Sequence, residues 1–160
     1  MISGLLARLS PESKTDLHLL VELSPYCLRI QELLAFPESG NRPRKDSNGY
    51  SCQSNCHGTL LYILGLLESL QFYSPGDMEQ FLGQGCCQQE SGEILAFGYS
   101  PTDTTNPGWL MHTALHLGPY QNEEIIFHQP NTGENYELST IRHYNAVSNS
   151  RCQGHFTLKV

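Results

Sequence analysis

Ser54-Asn55-Cys56-His57-Gly58-Thr59-Leu60-Leu61-Tyr62-Ile63-Leu64 joins a polar helix start to a run of leucines and isoleucine. Asn55 is well suited to N-cap a helix, because its side-chain oxygen can take one of the amides that the first turn leaves unpaired. Behind it Leu60, Leu61, Ile63, Leu64, Leu66 and Leu67 are apolar around most of the circumference, so the spacing predicts a central, covered helix over 56–70. Cys56 then falls in the first turn, near the positive end of the helix dipole and near free N–H groups. That position favours a thiolate and predicts a lowered pKa. Gly58 and Thr59 are small, which would let a backbone approach the sulfur and leave N–H groups available to an oxyanion.

Upstream, residues 38–54 are polar, carry Gly and Pro, and hold much of the positive charge. They read as a loop of a length that compact domains keep for a functional site or a mobile segment. Before that loop, Ser10-Pro11-Glu12-Ser13 reads as a helix start, with a helix following to about residue 22 and a second helical segment over 25–34. Downstream, Ser74-Pro75-Gly76-Asp77 opens a short helix to about residue 82. From Gly92 the period changes from helical to alternating, which predicts antiparallel strands over 93–99, 109–117, 124–128, 136–138 and 155–160. Turns are expected at Pro101, Asn106-Pro107-Gly108, Gly118-Pro119 and Asn131-Thr132-Gly133. Helices first and strands after give an α+β fold, with N-terminal helices and a Cys-bearing central helix packed on a C-terminal antiparallel sheet.

A chain of 160 residues fits one domain with an ordinary hydrophobic core: helices in 1–37, the loop 38–54 and the core 55–160. Nine Lys and Arg against 16 Asp and Glu give a net charge of −7, and the basic residues are scattered, which speaks against nucleic-acid or anionic-membrane binding. No apolar run approaches the ~18 residues that span a bilayer. Met1 to Arg8 lacks a basic segment before a sustained apolar core, and reads as part of the fold instead of a signal peptide. The six cysteines read as mostly free thiols in a reducing compartment, with one bridge left open; Cys27, Cys86, Cys87 and Cys152 read as small core filler.

A reactive cysteine needs an imidazole to take its proton, and that imidazole needs an acceptor at its other nitrogen. In Met111-His112-Thr113-Ala114-Leu115-His116-Leu117 alternation puts His112, Ala114 and His116 on one face, while His128 ends Ile125-Ile126-Phe127-His128. A metal site is disfavoured: Cys52 and Cys56 have no matching distal pair, and His112 and His116 on one extended strand lie about 13 Å apart at ~3.3 Å per residue. No cofactor is expected.

In order, Asn55-Cys56-His57-Gly58, Gly92-Glu93-Ile94-Leu95-Ala96-Phe97, His112-Thr113-Ala114-Leu115-His116-Leu117-Gly118 and Ile126-Phe127-His128 resemble the NlpC family of papain-like cysteine peptidases over roughly residues 50–130. The resemblance implies a papain-like domain in which Cys56 is the nucleophile, His112 the general base and acid, and His128 the orienting residue. Tyr50, His57 and Gly58 fall near the substrate and oxyanion, with Tyr50 standing in for a family tyrosine. His116 occupies a place where the family has an aromatic residue, and reads as structural. The chain departs from the family at Asn55 and His57, where Asp and Ser are usual, and at Ala114, where Gly is. The resemblance implies hydrolysis of an amide bond, with peptidoglycan stem peptides as the substrate class. It is compatible with a cytoplasmic protein, or with a toxin or effector exported by a dedicated secretion system and held by a cognate inhibitor protein. Deamidation, acyl transfer or proteolysis of a protein or lipid substrate are alternatives with the same chemistry. A non-catalytic binding module using the loop 38–54 is an alternative of another class.

Overall fold

The computed structural model describes residues 11–36, 44–45, 51–52, 54–83, 92–100, 102, 105, 108–132, 134–148 and 150–157. Two helices open the described chain, α1 (Pro11–Glu22) and α2 (Cys27–Ala35). Leu17 and Val21 of α1 and Ile30 and Leu33 of α2 are buried at helical spacing and meet Leu60, Leu61 and Ile63 in one core. Residues 1–10, including the expected helix start at Ser10 and the N-terminal segment, lie outside the described residues. Within the expected loop 38–54, a two-residue ladder joins β1 (Arg44–Lys45) to β2 (Ser51–Cys52).

The central helix α3 (Cys56–Ile63) is half as long as its apolar pattern predicts. The chain leaves it through a Schellman motif: Leu66 N–H bonds to the Leu61 carbonyl at 2.9 Å and Gly65 N–H to that of Tyr62 at 3.0 Å, with Gly65 at φ +81°. Leu64 and Leu70 remain buried beyond the helix, so apolar periodicity persisted past the point where a left-handed glycine stopped it. Helix α4 (Pro75–Leu82) begins as expected, with Ser74 Oγ accepting from Asp77 N–H.

Five strands form one antiparallel sheet in the order β6-β5-β4-β3-β7: β3 (Ile94–Gly98), β4 (Leu110–Tyr120), β5 (Glu123–His128), β6 (Glu137–Thr140) and β7 (Cys152–Phe156). Gly118 and Pro119 do not turn the chain. Gly118, at φ +115°, accompanies a bulge inside β4, and the turn comes at Gln121 and Asn122, both with positive φ as a tight hairpin requires. β7 lies ahead of the expected 155–160, of which 158–160 fall outside the described residues.

A helix absent from the sequence reading, α5 (Ile141–Val147), follows β6, with Thr140 Oγ1 capping His143 N–H at 3.0 Å. It lies against β5 and β6, and its Tyr144 closes a second small core with Leu95, Phe97, Ala114 and Ile126. Helix α3 packs on β4 and β5, and its Leu60, Leu61 and Ile63 belong to the larger core with Ile94, Ala96, Leu115 and Phe127. Alternation along the strands sends neighbouring residues to the two cores.

Cys27 and Cys56 are free thiols, and Cys152 is disulfide-bonded, so it is not the core filler expected. No helix among the described residues is long and apolar enough to cross a membrane.

Candidate active site

The start of α3 is held by Asn55, whose side chain is almost fully buried. Its Oδ1 accepts from the N–H groups of Gly58 and Tyr73, each at 3.0 Å, and its Nδ2 donates to the Tyr73 carbonyl at 2.8 Å. An aspartate could accept the first two bonds but would set a carboxylate against that carbonyl, which is a physical reason for an amide here. The cap therefore fixes the helix start to the segment before α4.

The Gly58 N–H, expected to be available to an oxyanion, is taken by Asn55 Oδ1. The role of Gly58 is steric: a Cβ at this position would lie 1.7 Å from the Gln71 carbonyl oxygen. Tyr50 lies outside the described residues.

Cys56 is the first residue of α3, and its Sγ lies 3.6 Å from His57 Nδ1. The same nitrogen is 2.9 Å from Thr113 Oγ1 on β4. The expected lowering of the thiol pKa is reversed: burial pushes Cys56 up to about 11, against hydrogen bonds from the backbone of Thr113, His57 and Cys56 and from the Thr113 side chain. The amides of the first turn do act on the sulfur, but loss of water outweighs them. Burial likewise lowers His57 to about 4.

His112 of β4 and His128 at the end of β5 are brought together. His112 Nε2 lies 2.7 Å from His128 Nδ1, with the rings edge to face. His128 Nε2 lies 3.3 Å from Glu137 Oε1 on β6, its register partner across the ladder. The Tyr144 ring stacks on His112 with centroids 4.5 Å apart, and Phe97 flanks the same imidazole at 5.9 Å. Burial first, then the neighbouring His128 and His57, hold His112 well below the ordinary imidazole value. At rest the site therefore holds a neutral thiol beside neutral His57 and His112.

Cys56, His57, His112, His128, Glu137 and Tyr144 line one cavity of about 520 Å³. Among the described residues, Cys56 Sγ makes no hydrogen bond to His112; the imidazole it meets is that of His57. A buried chain ties the two halves together: Ser54 Oγ and Thr59 Oγ1 are 2.8 Å apart, Thr59 Oγ1 donates to Gln129 Oε1 at 2.8 Å, and Gln129 Nε2 donates to the Glu134 carbonyl at 2.9 Å. That chain connects the start of α3 to the residue after His128. His116 stands apart from the cavity and bonds Glu124 at 2.7 Å.

Three side chains at the site escaped the sequence reading. Thr113 faces α3 because it alternates with His112, and Glu137 faces His128 because it alternates with the inward Tyr136 and Leu138. Tyr144 arrives on α5, for which the only local signal is Thr140 three residues before an amide it can cap. No family model matches this chain, and no curated protein matches it.

Proposed function

We propose that the chain is a papain-like cysteine hydrolase acting on an amide bond, with Cys56 as nucleophile, His112 as general base and acid, and His128 as the residue that orients His112. The observation that carries this reading is the meeting, in one cavity, of a helix-capped thiol with a His112–His128 pair hydrogen-bonded at 2.7 Å. The family resemblance in residue order points to the same three residues.

With a thiol pushed up to about 11 and an imidazole held low, no standing thiolate–imidazolium pair forms at rest. The proton leaves Sγ for His112 as sulfur attacks the substrate carbonyl carbon, which requires Cys56 to turn toward His112 when the cavity is occupied. The resulting oxyanion faces the N–H groups of Cys56 and His57, the amides that already act on the sulfur. Collapse expels the amine with the proton from His112 and leaves a thioester. Water then gives its proton to His112 and attacks the thioester, releasing the acid and returning the proton to Cys56.

By resemblance the substrate class is a peptidoglycan stem peptide, which a protein of this kind would meet after delivery by a secretion system; deamidation, acyl transfer or proteolysis would use the same steps. The test is incubation with muropeptides and with a cell lysate, comparing wild type with Cys56→Ala by mass spectrometry. Products that require Cys56 are expected, and a substitution at His112 should slow their formation by about 10²–10⁴-fold. A non-catalytic binding module is the second reading, favoured by the raised thiol pKa and the absence of a resting Cys56–His112 bond among the described residues. It predicts no Cys56-dependent product in either mixture.

A further inference from the structure

We propose that Glu137 is a positioning residue that fixes the proton positions of the His128–His112 pair, making His112 Nδ1 the atom that accepts a proton. The inference rests on the reading above for its catalytic meaning, but its physical content is independent of any substrate. A carboxylate can only accept hydrogen bonds, so Glu137 Oε1, at 3.3 Å, places the hydrogen of His128 on Nε2. In a neutral His128 the other nitrogen, Nδ1, then carries a lone pair. That nitrogen is 2.7 Å from His112 Nε2, so His112 must donate there and its single hydrogen sits on Nε2. His112 Nδ1 is left bare, as a general base requires.

Without the carboxylate the same two imidazoles could hydrogen-bond with both hydrogens moved to the opposite nitrogens. His112 Nδ1 would then carry a hydrogen and could not take one from Cys56. The pair alone is ambiguous, and Glu137 breaks the tie. The rest of the fold makes the choice effective. Glu137 and His128 are register partners on β6 and β5, so the sheet sets their approach. His112, 2% exposed, is stacked against Tyr144 and flanked by Phe97, which opposes a ring flip that would exchange its nitrogens.

The test is NMR of the full chain labelled with ¹⁵N-histidine, which reads the protonation of each ring nitrogen without a substrate. In wild type, His112 is expected to carry its hydrogen on Nε2 and His128 on its own Nε2. Glu137→Gln offers His128 an amide that can donate as well as accept, so the bias should be lost and a mixed or reversed pattern appear. Glu137→Asp keeps the charge and should keep the wild-type pattern. Alongside, acylation of Cys56 by p-nitrophenyl acetate, corrected with Cys56→Ala, should slow about 10–100-fold in Glu137→Gln and recover in Glu137→Asp, less than the fall seen when a fully buried partner is neutralised. A wild-type His112 protonated on Nδ1, or a pattern unchanged in Glu137→Gln, would overturn the proposal. Tautomers as expected with no Cys56-dependent acylation would uphold the Glu137 assignment and remove the catalytic reading instead.

Discussion

At the scale of single residues, Asn55 does more than cap a helix. One side chain satisfies the Gly58 amide and both backbone groups of Tyr73, so it fixes the position of Cys56 as well as the stability of α3. Asn55→Ala is expected to destabilise the protein by about 2–3 kcal/mol, the loss of a cap plus a buried carbonyl left without a donor, measured by urea unfolding. Asn55→Asp should recover part of that loss, since it restores the cap and not the bond to Tyr73. Cys56 shows the opposite balance. Its place in the helix was legible from Asn55 and the leucines that follow, but its protonation was not. Burial raises the thiol further than the first-turn amides lower it, and a residue string carries no record of how much water reaches a sulfur.

Among the elements, α3 and α5 depart from the sequence pattern for different reasons. The apolar pattern of 56–70 describes burial, which continues through Leu64 and Leu70, while helix length was decided by Gly65 in a left-handed conformation. Helix α5 is seven residues with Tyr144 as its buried side chain, too short to impose a period on the sequence. Its value to the site is nevertheless large, because Tyr144 packs on His112 and, at 4.3 Å between centroids, on Phe97. Tyr144→Ala should destabilise the protein by about 3–5 kcal/mol and free the His112 ring, whereas Tyr144→Phe should keep most of both. Thermal unfolding with the ¹⁵N-histidine spectrum reads the two effects separately, and equal behaviour of the two variants would contradict the stacking role.

At the scale of the whole molecule, the buried imidazoles make stability depend on acid. His57, 1% exposed and lowered to about 4, binds its proton at higher pH in the unfolded chain than in the folded one. The unfolded state therefore holds more protons between about pH 6.5 and 4, so the contribution is fully present above that window and is lost as pH falls through it. The shift corresponds to on the order of 3 kcal/mol for His57, and His112 shifts in the same direction. Urea midpoints taken from pH 7 to pH 4.5 should fall steeply, and His57→Gln should flatten the fall. A midpoint independent of pH across that window would show that these rings are not buried as neutral bases.

The α+β order, the helix start at Cys56 and the strands that carry His112 and His128 are legible in the residue string, because capping and two- or 3.6-residue periodicity are local properties. The meeting of His112 with His128, the approach of Glu137, the arrival of Tyr144 and the neutral state of the thiol depend on the folded chain. Strand register, desolvation and ring stacking join residues far apart in the chain, and their energies exist only once those residues are neighbours.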